Sequence, residues 1–188
     1  MIYTAGFQLS ILLKQVHFLD SSILPYFTYL APMKAATVRE LKKELSHKSN
    51  DDLIAICLRL SRFKKENKEL LTYLLLESDY EEGYIESVKA EIDEQFSQIN
   101  RASYFYIKKS VRKILRLVKK YNRYSDSKET EVELLLYFCK KMKNFTPSIS
   151  KNKVLQNIYD RELISIQKKI KALHEDLQYD YELELEGM

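Results

Sequence analysis

Glycine and proline, the residues that most often interrupt regular structure, are nearly missing from this chain. It has three of each in 188 residues, and Gly6, Pro25 and Pro32 all fall at its beginning. Past Pro32 only Gly83, Pro147 and Gly187 remain. A sheet protein of this length needs many tight turns, and those draw on Gly and Pro for backbone angles other residues avoid. A helix needs neither until it ends. The chain is therefore expected to be all-α. With 45% hydrophobic and 31% charged residues it has globular composition, and its length suits one domain with a sizeable core.

Charge divides the chain as sharply as the breakers do. Before Met33 the only charged side chains are Lys14 and Asp20, out of 31 basic and 27 acidic residues in all. Three readings of residues 1–32 compete. A secretory signal would open with basic residues and keep an unbroken apolar run, yet no base precedes Ile11 and Lys14 interrupts the run. An apolar arm could pack on the domain or on a membrane surface. The favoured expectation is that Met33 is the native start and residues 1–32 are an appendage. That leaves residues 33–188 as a single helical domain with an acidic C-terminal end. No run of about 18 uncharged apolar residues occurs, so no membrane span is expected.

Periodicity then predicts about seven helices. Thr37 with Glu40 has the form of a capping box, ahead of Val38, Leu41 and Leu45. Ser49 or Asn50 is positioned to cap a second helix carrying Leu53, Ile56, Cys57, Leu60 and Phe63. A third, about 67–78, is apolar nearly all round through Leu70 to Leu76, which predicts a central, buried place. Asp79 with Glu82 marks a fourth, built on Tyr84, Ile85, Val88, Ile92, Phe96 and Ile99. A fifth, about 102–122, carries Tyr104, Ile107, Val111, Ile114, Leu115, Val118 and Tyr121 on one stripe. Asp126 with Glu129 marks a sixth, with Val132, Leu135, Leu136, Cys139 and Met142. The seventh starts near Ser150 and extends towards Tyr181, with an a/d-like seam from Leu163 through Ile166, Ile170 and Leu173 to Leu177. Short polar loops favour antiparallel hairpins, so a compact bundle is expected, with a short α-solenoid as the alternative.

The fifth helix carries the one chemical signal that stands out. Nine basic residues lie between Arg101 and Arg123, and no acid occurs between Glu94 and Asp126. Lys109, Arg112, Lys113, Arg116, Lys120 and Arg123 share the face opposite the apolar stripe, the arrangement of an anion-binding ridge. Tyr104, Tyr106 and Tyr124 are placed to stack on bases. The competing expectation is internal neutralisation, by the acidic run from Glu175 to Glu186 or by the acidic fourth helix.

Other chemistries find little here. Glu44 and His47 have the i, i+3 spacing of di-iron bundles, but no second such pair exists. Cys57 and Cys139 each sit in an apolar run and read as buried free thiols, with a reducing cytoplasm as the default compartment. No glycine-rich phosphate loop, catalytic constellation, cofactor motif or small-molecule substrate site is evident. Tyr73, Tyr84, Tyr137 and Tyr159 are expected at the core or its rim.

The stretch LKKELSHKSNDDLIAICLRLSRFKKENKELLTYLLLE, residues 41–77, resembles the opening of a family of uncharacterised small all-helical bacterial proteins. The shared features are an LKxEL start, a DDL step before a Leu-rich helix, and Asn67-Lys68-Glu69 followed by Tyr73-Leu74. The resemblance implies an all-helical fold and brings no catalytic or ligand residues. The expectation is thus a non-enzymatic module that binds a protein partner or itself. The alternative is a nucleic-acid or polyanion binder acting through residues 101–123.

Overall fold

The computed structural model describes residues 34–188, and every regular element among them is helical. The expectations for residues 1–32 lie outside the described residues. The chain divides after Leu53, inside its second helix, into two units.

In the first unit, α1 (Val38–Leu45) starts as expected. The Thr37 hydroxyl accepts from the Glu40 amide at 3.3 Å, and the Glu40 carboxylate accepts from the Thr37 amide at 2.7 Å. This reciprocal pair satisfies two of the amides a helix start leaves open. Ser49 and Asp52 repeat the device at the start of α2 (Asn50–Phe63). No residue of α1 is buried.

The second unit holds the rest of α2 and six further helices. They are α3 (Lys65–Thr72), which runs into one π-helical turn at Tyr73–Glu77, α4 (Glu81–Ser97), α5 (Tyr104–Ser125), α6 (Lys128–Lys143), α7 (Lys153–Ile170) and α8 (Glu175–Glu186). A 3₁₀ turn at Ile149–Lys151 precedes α7, and the Asn152 side chain caps that helix by accepting from the Val154 and Leu155 amides. α4, α5 and α6 pack against one another, α7 packs on α6, and α8 on α7, which makes the unit a helical bundle. Its core is filled by Ile92, Ile107, Ile114, Phe138, Leu155 and Ile166, all essentially without solvent contact. Each such side chain contributes about 1.5–3 kcal/mol through burial. The Phe96 ring lies 5.9 Å from Phe138 and 6.0 Å from Phe145, a tilted aromatic cluster at one edge.

Three expectations are corrected. The central helix is α6, not the third. α6 buries Leu134, Leu135, Leu136, Phe138 and Cys139 on nearly all sides, whereas Leu74, Leu75 and Leu76 are exposed. The π turn, closed by the Ser78 amide on the Tyr73 carbonyl at 2.9 Å, keeps Tyr73 in the core and turns the three leucines outwards. Next, the seventh helix does not reach Tyr181. It ends at Ile170, and residues 171–174 form a turn before α8, steadied by the Gln178 side chain donating to the Leu173 carbonyl at 2.8 Å. α8 then places Tyr181 and Leu185 against the core. Finally, two caps differ. Tyr80, without a side-chain cap, precedes α4, and Ser127 rather than Asp126 caps α6. Asp126 instead ends α5 in the left-handed region at φ 56°, which Asp tolerates better than most residues.

Candidate functional site

α5 is amphipathic, and its packing decides where its charges go. Ile107, Val111, Ile114 and Val118 are buried, so the basic residues between them face outwards. Lys109, Arg112, Lys113, Arg116 and Arg123 are all exposed. The Lys113 ammonium donates to the Gln95 side chain at 3.1 Å.

Lys120, expected on the same ridge, is committed elsewhere. Its ammonium lies 2.7 Å from the Glu69 carboxylate of α3, 4.7 Å from the centre of the Tyr121 ring and 5.8 Å from that of Tyr124. The Tyr124 hydroxyl donates to the same Glu69 oxygen at 2.9 Å. Burial alone would push the Glu69 carboxyl up, but the Lys120 and Tyr124 donors outweigh it and hold the group below the usual carboxylate range. Burial, with Glu69 beside it, pushes the Tyr124 hydroxyl well above the usual tyrosine range. Lys120 therefore ties α5 to α3 and is the least available member of the ridge.

Part of the acid expected to neutralise α5 turns instead towards α6, whereas Glu91 of α4 and Glu66 of α3 share a hollow of about 740 Å³ with Lys113, Arg116, Lys120 and Arg123. Glu184 of α8 pairs with Lys140 at 2.6 Å, and Lys143 donates to the Gly187 carbonyl at 3.1 Å. From α4, Asp93 accepts from Tyr137 and pairs with Lys141, each within 2.8 Å. Among the described residues, Lys109, Arg112, Arg116 and Arg123 form no ion pair. The side of the ridge that faces α7 thus keeps its positive field.

That field is concentrated where α5 meets α7. A groove of about 580 Å³ runs between the two helices. Lys108, Lys109, Arg112, Arg116 and Lys119 line it from α5, and Arg161 joins them from α7. Leu115 and Ile158 supply apolar lining, together with Phe105, which is 67% exposed. No acid lines the groove. Lys119 is partly spent, with its ammonium 2.8 Å from the buried Glu162 carboxylate. Arg161 lies far along the chain from α5, so no local sequence pattern could have joined it to the ridge. The aromatic expectations also change. Tyr124 is buried, Tyr104 donates to the Ser148 carbonyl at 3.1 Å, and of the three expected stacking residues only Tyr106 is exposed. Phe105, absent from the expected set, is the exposed aromatic ring at the groove.

A smaller hollow of about 250 Å³ lies among α3, α4 and α5, walled by Tyr73, Tyr84, Tyr121 and the carboxylates of Glu69, Glu77 and Glu91. The Tyr73 and Tyr84 rings stand 4.6 Å apart, and the Tyr84 hydroxyl donates to the Tyr121 carbonyl at 2.9 Å. Burial pushes that hydroxyl far above its ordinary range. These interactions join helices, and they fulfil the expectation that Tyr73 and Tyr84 are core residues. Tyr159 is likewise buried, and Tyr137 sits at the rim.

The two cysteines part company. Cys139 is buried as expected, and burial pushes its thiol up to about 12, far from a nucleophile's range. Cys57 is exposed, contrary to expectation, because α2 keeps most of its apolar side chains in solvent. Glu44 and His47 are both exposed, and no group of three metal-ligating side chains converges among the described residues. No described helix is long and apolar enough to cross a membrane. No family model, curated protein or solved structure matches this chain.

Proposed function

We propose that the protein is a helical self-association module, and that α2 is its contact element. One observation carries this reading: α2 exposes Ile54, Leu58, Leu60 and Phe63 within fourteen residues, Phe63 at 77%. Grouped exposure of large apolar side chains is characteristic of interaction surfaces. The exposed Leu60 and Phe63 share one face with the half-buried Leu53 and Ile56 and form a seam at helical spacing, while Ile54 and Leu58 lie on the opposite face. The charges at the ends of α2 suit a second copy. Asp51 and Asp52 open the helix and Arg59 and Arg62 close it. An antiparallel pair of α2 helices sets each acidic end against a basic end, with Asp52 and Arg59 on the same edge of the seam. In that register Leu53 meets Leu60 of the copy, and Cys57 approaches its own counterpart at the two-fold axis.

This reading takes the protein as non-enzymatic and cytoplasmic. An exposed free thiol at Cys57 favours a reducing compartment. Sedimentation across a concentration series tests the proposal, with a double variant L60E/F63E as control. The wild type is expected to dimerise progressively and to cross-link through Cys57 under mild oxidation. The variant is expected to stay monomeric with an unchanged melt, since both side chains are already exposed. A wild-type chain that stays monomeric at its highest soluble concentration would overturn it.

A further inference from the structure

Separate from α2, the α5–α7 groove carries a second inference: we propose that it binds single-stranded nucleic acid. Two requirements of such a site meet there. A backbone-tracking channel needs several unpaired cations and no competing carboxylate, so that phosphates can displace counterions. Lys109, Arg112 and Arg116 meet this, successive along α5 and unpaired among the described residues, with Arg161 facing them from α7. At about 1.5 Å of rise per residue, Lys109 to Arg116 spans roughly 10 Å, room for two or three phosphates of an extended strand. The site also needs an exposed ring on which an unpaired base can stack. Phe105 lines the groove at 67% exposure, and Tyr106 packs edge-on against it with ring centres 5.4 Å apart. A duplex hides its base faces and has no use for Phe105. An acidic peptide would use the cations but not the ring.

The test is anisotropy of the full chain with fluorescently labelled oligouridylate, oligothymidylate, and a duplex of equal length, over a salt series. Single strands are expected to bind at low salt, with a log–log salt slope of about −2 for three phosphates at roughly −0.7 each. Phe105→Ala is expected to weaken single-strand binding about tenfold, as loss of one stacked base would. Arg161→Glu and Arg112→Glu should weaken it further. Arg123→Glu, an equal charge change on α5 outside the groove, should have a much smaller effect. All four side chains are exposed, and far-UV circular dichroism and thermal melts of each variant check the fold. The proposal fails if no oligonucleotide binds at low salt. It fails if Arg123→Glu weakens binding as much as Arg161→Glu, because the charge of α5 alone would then suffice. It fails too if the duplex binds as tightly as the single strands and Phe105→Ala changes nothing, or if anionic phospholipid vesicles retain the protein while oligonucleotides do not.

Discussion

Replacing Glu81 tests how the ends of three helices are tied together. Its carboxylate, in the first turn of α4, accepts from the Thr130 hydroxyl at 2.5 Å, from the Tyr73 hydroxyl at 2.8 Å and from the Ser125 hydroxyl. One side chain thus joins the π turn, the end of α5 and the start of α6. Hydrogen bonds to a charged group are worth about 1.5–3 kcal/mol each, but three bonds to one partly accessible carboxylate do not add in full. Thr130 is 1% exposed, so removing its acceptor strands a buried hydroxyl at a cost of about 1–3 kcal/mol. Glu81→Ala is therefore expected to cost roughly 3 kcal/mol. Glu81→Gln keeps an acceptor for Ser125 and Thr130, which share Oε1, and the Tyr73 hydroxyl can accept from the new amide. It loses charge at a helix start and should cost only about 1 kcal/mol. Urea denaturation followed by circular dichroism measures both. Burial alone would raise the Glu81 carboxyl, yet the three hydroxyl donors outweigh it and leave the group below its ordinary value. A carboxyl depressed in the folded state stabilises above its unfolded pKa, about 4.3, and that stability is lost as pH falls through the folded value. The wild type should therefore lose its advantage over Glu81→Gln in acid. Equal costs for Ala and Gln, or a wild-type advantage that persists at the acid end, would refute the argument.

Two other perturbations follow from the same structure. Glu162 is a buried carboxylate whose Oε2 has no partner, so Glu162→Met should stabilise the chain by about 1–2 kcal/mol in chemical denaturation; a destabilised variant would show that the Lys119 pair outweighs the burial cost. Under native conditions a thiol reagent should modify Cys57 quickly and Cys139 only after unfolding; fast reaction at both would contradict the packing of α6.

Much of the fold was legible because α4, α5 and α6 repeat apolar residues at the helical period and bury them. Every apolar residue named in advance for α4 and α6 is buried. What escaped the sequence is set by neighbours. Residues 171–174 contain neither Gly nor Pro, and α7 ends there because α8 folds back so that Tyr181 reaches the core. Leu74, Leu75 and Leu76 look like core by composition, yet a change in helical pitch turns them outwards. At the candidate site the cations of α5 were legible and their availability was not. Lys120 is withdrawn by Glu69, Lys119 is half-withdrawn by Glu162, and Arg161 is supplied by another helix. Each is a relation between residues some 40 or more positions apart, beyond the reach of any local pattern.

The π turn after α3 has a consequence for where the chain tolerates a change in length. A turn that closes from Ser78 back to Tyr73 holds one residue more than an α-helical turn. Deleting one of the three exposed leucines would restore the ordinary pitch and leave the buried Tyr73 anchored from its N-terminal side. The segment 74–76 is thus where the chain can lose one residue without shifting a core side chain, whereas the same loss inside α4 would rotate Ile85, Val88 and Ile92 out of the core.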